Sequence, residues 1–196
     1  MRSSQTLEQM AATLIPGQVY RRADFVDMSS NVDRHLTELL ANGQLRKLCQ
    51  GLYSAPRSTP FGEALPNENS LLRAFLKDDH FVVYSQGQFN VLGLGTTQLY
   101  NERLVFNRKR VGKFTLGGRA YTFLRWREAP KALTAEFLVV QLLNRLDYLA
   151  EDHDQVLKRL GEKLTQFNTR KLMHASSHYG TLSTQKRLRN MMHNEH

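Results

Sequence analysis

Ser29-Ser30-Asn31-Val32-Asp33-Arg34-His35-Leu36-Thr37-Glu38-Leu39-Leu40-Ala41-Asn42-Gly43 runs directly into Gln44-Leu45-Arg46-Lys47-Leu48-Cys49-Gln50-Gly51-Leu52-Tyr53-Ser54. The first half reads as a helix. Val32, Leu36, Leu39 and Leu40 fall on one face, Ser29 or Ser30 supplies a capping hydroxyl, and Gly43 stops the helix in a left-handed conformation. The second half reads as a short basic hairpin. Its Leu45 and Leu48 are three apart, so the first strand is not cleanly period-two and Leu45 belongs to the turn. A capped helix that ends on glycine and enters a basic hairpin is the arrangement of a winged helix-turn-helix.

Working outward, Leu7, Met10, Ala11 and Leu14 predict a helix over 4–14, ended by Pro16-Gly17. Val19-Tyr20 is a short extended piece, and 21–26 a short helix with Phe25 and Val26 facing inward. Downstream, Pro56, Ser58, Pro60, Gly62 and Pro66 mark a linker. The expected organisation is α+β: a winged helix-turn-helix over 1–57, a linker over 58–68, and a mixed α/β domain over 69–196 that ends in helices. Within that domain the pattern predicts a helix over 70–76, a strand over 81–84 and a short helix over 86–92 that ends at Gly93. A strand over 104–106 follows, and then a two-residue Gly117-Gly118 hairpin between 113–116 and 120–124. After Pro130, Thr134 caps a helix over 135–149, Asp152 or Asp154 opens one through 164, and Ser183 caps a last one through 192.

Composition sets the partner class. The 196 residues are 41% hydrophobic and 23% charged, an ordinary globular balance, but carry a net charge of +9 that attracts polyanions. The excess is uneven. Residues 101–127 hold eight basic side chains against one acidic, and 158–189 hold eight against one, whereas 1–60 hold seven against five. Most of the charge therefore lies outside the winged-helix segment. No apolar run reaches the ~20 residues that a membrane-spanning helix needs, and the first residues lack the apolar core of a secretory signal. Cys49 is the single cysteine. A cytoplasmic protein with no membrane partner is the expectation.

If the winged-helix reading holds, double-stranded DNA is the partner and the contact residues follow from their positions. Ser29, Ser30, Asn31, Arg34 and His35 stand near the start of the helix that enters the major groove. Asn31 suits a bidentate pairing with adenine and Arg34 with guanine, each worth about 1–3 kcal/mol of discrimination. Arg46, Lys47 and Gln50 of the wing suit phosphates or the adjacent minor groove. Arg21 and Arg22 suit backbone contacts that fix register.

The segment Gly43-Gln44-Leu45-Arg46-Lys47-Leu48 followed by Gly51-Leu52-Tyr53 resembles the winged-helix module of the AbiEi-like antitoxins of type IV toxin–antitoxin systems. Val83-Tyr84-Ser85, then Val91-Leu92-Gly93-Leu94-Gly95-Thr96-Thr97-Gln98, is similar to the start of that family's second domain. The likeness covers about three quarters of the chain. It implies a transcriptional regulator that binds repeats in its own promoter and represses it. It also implies a C-terminal domain that counteracts a nucleotidyltransferase-like toxin, directly or indirectly. Arg108, Lys109, Arg110, Lys186, Arg187 and Arg189 are the basic residues assigned to that antitoxin face.

Other chemistry is weakly written. Leu92-Gly93-Leu94-Gly95 lacks the third glycine of a dinucleotide loop and the Gly-Lys of a P-loop, and reads as a turn. His174 and His178 are four apart without an adjacent glutamate, so no metal is expected, and neither an enzyme nor a cofactor. Asp152-His153-Asp154 is an acidic helix start, and Cys49 a small buried residue. Trp126 between Arg125 and Arg127, with Tyr121 and Phe123, suggests base stacking. On that pattern the alternative reading is an RNA-binding or nuclease-accessory protein using the basic C-terminal half. Oligomeric state is open, since a dimer on a palindrome and a monomer on a repeat array fit the sequence equally.

Overall fold

The structure, a computed structural model, describes residues 2–96, 102–126, 130 and 132–193, the side chains of 2–4 excepted. Thr97 and Gln98 of the family-like motif, and Arg127, lie outside the described residues. The protein is α+β, with helices and several antiparallel sheets in chain order. The chain forms two units, Met1–Asp79 with Lys109–Tyr121 and His80–Arg108 with Thr122–His196.

The N-terminal unit begins with α1 (Arg2–Ala12), β1 (Val19–Arg21) and a 3₁₀ turn over Arg22–Phe25, followed by α2 (Val32–Ala41), β2 (Arg46–Cys49) and β3 (Leu52–Ser54). The strands pair antiparallel in the order β1-β3-β2. Met10, Phe25, Leu36, Leu39 and Leu45 are almost wholly buried together and exclude water from the space between helices and sheet. Tyr20 packs its ring against Phe25 at 5.5 Å. Its hydroxyl accepts from the Ile15 N–H at 2.7 Å and donates to the Thr13 carbonyl, which fixes the exit of α1. Val26, expected inward, is half exposed because the tight turn ends at Phe25 and turns only that ring to the core.

The end of α2 behaves as its glycine requires. Gly43 has φ 71, the Gln44 N–H reaches the Leu39 carbonyl at 2.9 Å, and the Gly43 N–H reaches that of Leu40 at 3.1 Å. This pair of bonds closes the last turn and needs a left-handed residue. The start differs from expectation. Asn31 occupies the N-cap position, and neither serine caps the helix. The Ser29 hydroxyl is committed elsewhere, accepting from the Asn31 N–H at 2.9 Å and bonding His35 Nδ1 at 2.8 Å.

The Pro- and Gly-rich stretch expected as a linker contains a hairpin, β4 (Arg57–Thr59) with β5 (Gly62–Ala64). Next comes α3 (Glu68–Leu76), where the Asn67 side chain accepts from the Ser70 N–H and Leu71, Leu72 and Leu76 are buried. The boundary between units falls after α3 and not within 58–68. The chain then enters the C-terminal unit with β6 (Phe81–Ser85), a 3₁₀ stretch over Gln86–Leu92 and β7 (Arg103–Asn107), which pairs antiparallel with β6. It returns to the N-terminal unit for β8 (Gly112–Leu116), and β9 (Arg119–Arg125) carries it back. Gly117 and Gly118, both at positive φ, make the two-residue loop that the sequence predicts.

In the C-terminal unit β9 continues the sheet beside β7. Against it lies α4 (Ala135–Asn144), capped by the Thr134 hydroxyl and buried on every face from Phe137 to Leu143, where Gln141 is the one polar residue in an apolar run. It stops five residues short of the expected 149. Asn144 instead donates to the Tyr179 carbonyl at 2.7 Å and accepts from the Thr181 N–H at 2.9 Å, and a 3₁₀ turn over Leu146–Tyr148 follows. Three helices complete the unit: α5 (His153–Lys163) capped by Asp152, α6 (Thr169–Tyr179) capped by Asn168, and α7 (Leu182–His193). The Thr181 hydroxyl, and not Ser183, accepts from the first turn of α7. Val156, Leu160, Leu172 and Leu188 join these helices to the same buried cluster as α4.

Candidate nucleic-acid interface

The outer edge of α2 presents Ser30, Asn31 and Arg34 to solvent, opposite the buried Val32, Leu36 and Leu39. A concavity of about 410 Å³ at this edge is lined by Arg22 with Ser30, Asn31 and Arg34. Two of the residues expected to reach bases do not. Ser29 and His35 are buried at 9% and 3% exposure, bonded to each other beneath the start of the helix. His35 lies three residues after Val32 and four before Leu39, so it occupies the apolar stripe itself.

Arg22 organises this edge. Its guanidinium donates two hydrogen bonds to Asp33 on the first turn of α2, Nε to Oδ1 and Nη2 to Oδ2, each 2.7 Å. Its main-chain N–H donates to the carbonyl of Gly51 at the tip of the β2–β3 hairpin. One residue thus joins hairpin tip and helix start. The paired hydrogen bonds hold the Asp33 carboxyl below its ordinary range and push the Arg22 guanidinium further up.

Carboxylates accompany the other arginines too. Arg34 bonds Glu38 at 2.9 Å, Arg21 meets Asp24 at 3.6 Å, and Arg46 meets Glu63 at 3.3 Å. The Arg34 and Glu38 spacing of four was legible, whereas Arg22 and Asp33 are eleven apart. Exposed pairs of this kind are weak and exchange partners readily.

On the hairpin, Lys47 and Gln50 are exposed. The register shifts between Lys47 and Cys49, which places Leu48 in a bulge and explains the three-residue leucine spacing. The bulged Leu48 carbonyl accepts from the Gly117 N–H at 3.0 Å, so the β8–β9 loop braces the hairpin. Cys49 is half-buried, less enclosed than expected. Burial pushes its thiol up, only partly offset by the charges of Arg110 and Lys47.

The residues assigned to an antitoxin face do not share one unit. Arg108 belongs to the C-terminal unit, whereas Lys109 and Arg110 belong to the N-terminal one. Lys109 bonds the Lys77 carbonyl and approaches Asp78 at 3.8 Å. Arg110 lies 4.4 Å over the ring of Phe75. Lys186, Arg187 and Arg189 follow α7 around its Leu188 anchor, with Lys186 and Arg189 exposed.

The aromatic group near Trp126 forms no platform for bases. Tyr121 and Phe123 are buried, and Trp126 stacks on Phe106 at 5.7 Å with its edge to Tyr179. His174 and His178 stack at 4.0 Å on α6, and among the described residues no group of three or more His, Cys, Asp or Glu is placed to hold a metal. Gly93 and Gly95 take positive φ at the exit of the 3₁₀ stretch, as a turn requires. No helix among the described residues is long and apolar enough to cross a membrane.

Fold and surface together define a mixed α+β protein whose N-terminal unit exposes a polar helix edge beside a hairpin tip. No family model matches the chain, and no curated protein sequence matches it. Among solved structures it is similar to the RV2827C protein from Mycobacterium tuberculosis, at 15% sequence identity and a TM-score of 0.59, over 97% of this chain and 76% of that one. At such identity the likeness concerns the fold alone.

Proposed function

We propose that the protein is a DNA-binding transcriptional regulator of the AbiEi-like antitoxin type. In this reading the N-terminal unit is a winged helix-turn-helix that binds repeats in its own promoter. The C-terminal unit counteracts a nucleotidyltransferase-like toxin. The observation that carries the reading is the double role of Arg22, which ties the hairpin tip at Gly51 to the start of α2 at Asp33. Beside that link Ser30, Asn31 and Arg34 are exposed at the start of α2, and Lys47 and Gln50 are exposed on the hairpin. A helix edge and an adjacent hairpin tip are the two parts such a module brings to the major and minor grooves. The order of helix, strand, turn, helix and hairpin supports it. The antitoxin part rests on the sequence resemblance.

A mobility-shift assay on DNA upstream of the gene tests the first part. Salt-sensitive, sequence-dependent binding is expected, and Asn31→Ala with Arg34→Ala removes its sequence dependence. Absence of any such shift at physiological ionic strength refutes it. Co-expression with an adjacent nucleotidyltransferase-like gene tests the second part, with growth restored only when this chain is present.

A further inference from the structure

A cleft of about 570 Å³ opens beside the hairpin tip of the N-terminal unit. Arg21, Arg22, Lys77 and Arg110 line it with Gln50, over the rings of Phe75 and Phe114, and no Asp or Glu is among its lining residues. Arg21 and Arg22 have Asp24 and Asp33 as partners. The carboxylates that follow Lys77 in sequence are engaged by other cations, Asp78 by Lys109 and Asp79 by Arg73. Four basic side chains and no carboxylate thus line this space, with Asp24, Asp78 and Asp79 on the neighbouring concavity that Arg21 and Lys77 share.

Two features single out Lys77 and Arg110. Lys77 has φ 52, and no other non-glycine residue among those described has a positive φ. That conformation suits glycine or asparagine better than lysine, yet Lys109 clamps it by donating to the Lys77 carbonyl. Lys77 is the C-cap of α3, its N–H donating to the Arg73 carbonyl, so the helix end fixes where its side chain leaves the surface. Arg110 lies with its guanidinium 4.4 Å from the centroid of Phe75 and 5.9 Å from that of Phe114. The stacking fixes the guanidinium plane at the wall of the cleft, and a guanidinium is the side chain best matched to phosphate geometry.

We propose that this cleft seats the phosphodiester backbone of duplex DNA next to the segment met by α2, with Lys77 and Arg110 as its phosphate contacts. The inference rests on the DNA-binding reading and extends it. It moves Arg110 from the antitoxin face to the DNA footprint. It also explains why basic residues remote in sequence from the reading head belong to the same unit.

The test is fluorescence anisotropy with the full chain on the upstream duplex and on an unrelated duplex of equal length, across 50–200 mM salt. Each lost phosphate contact lowers the slope of log K against log salt by about 0.9. Lys77→Asn with Arg110→Gln is therefore expected to lower it by about 1.8, equally on both duplexes. Over that fourfold salt range the unmodified chain then loses roughly 12-fold more affinity than the variant. Asparagine tolerates the left-handed backbone, and an unchanged melting curve verifies the fold. Arg110→Lys keeps the charge and the slope.

If the double variant does not fold, the single Lys77→Asn change, with an expected drop of about 0.9, decides. A folded variant with an undiminished slope overturns the cleft assignment and leaves the DNA reading standing. An unmodified chain with no salt-sensitive affinity for either duplex overturns both.

Discussion

Asp33→Asn tests whether the N-terminal unit holds an arginine back from DNA. Arg22 gives Asp33 two bonds of 2.7 Å, and the Asp33 side chain is 74% exposed on the first turn of α2. A strand approaching that edge has to draw Arg22 away from its carboxylate while its own phosphates are repelled by the same group. Neutralising Asp33 removes both obstacles. If Arg22 then meets one phosphate, the salt slope steepens by about 0.9, or roughly a 3.5-fold larger loss of affinity between 50 and 200 mM. Affinity at the low-salt end rises. Anisotropy on the upstream duplex reads both quantities.

The same carboxylate gives an independent check by pH. Its folded pKa is lowered, so its contribution to stability is complete above the unfolded aspartate value, about 3.9, and is lost as pH falls through the lower folded value. The Asn variant lacks that loss. A variant that melts normally at neutral pH yet binds with the original slope and no gain in affinity refutes the competition. Parallel loss of stability in both proteins below pH ~4 refutes the pairing itself.

Three further outcomes are expected. Leu39→Ala, at a wholly buried position of the N-terminal core, costs about 2–5 kcal/mol, read from urea unfolding by circular dichroism; a loss under ~1 kcal/mol means that the site collapses or is not enclosed. Asn144→Ala frees the Thr181 amide at the α6–α7 turn, so its hydrogen exchange accelerates on the order of two- to tenfold, for a bond worth about 0.5–1.5 kcal/mol; unchanged protection contradicts the clip. Cys49 alkylates more slowly at pH 7.5 than a free cysteine of pKa about 8.5, because burial raises its thiol; an equal or faster rate contradicts that environment.

The parts of the fold legible in sequence are those fixed by neighbours along the chain. The Gly43 stop, the Gly117-Gly118 loop and the caps at Thr134 and Asp152 each follow from one residue's conformational or hydrogen-bonding preference. The structure departs from the sequence pattern where a polar side chain is spent on a partner that spacing does not announce. Ser29 serves His35 and the Asn31 amide, so it does not cap α2, and His35 takes a core position that its polarity disguised. Asn144 ends α4 early because its amide is needed at Tyr179 and Thr181, some 35 residues on. Residues 58–68 carry the prolines and glycines of a linker, yet the same residues make a tight hairpin. Of the candidate site, Ser30, Asn31, Arg34, Lys47 and Gln50 are exposed, as side chains on the polar side of a short amphipathic element are. Lys77 and the placement of Arg110 depend on which distant strands share a unit, and no local periodicity encodes that.

The polypeptide passes through each unit twice, with β8 and the first residues of β9 returning to the N-terminal unit after β6 and β7 have been laid into the other. Neither half is therefore one continuous stretch of chain. During synthesis the last segment of the N-terminal half, 109–121, emerges after two strands of its companion. No single cut in the backbone yields either half intact, so a fragment ending after α3 lacks the segment that braces its hairpin, and exchanging one half between relatives requires three junctions instead of one.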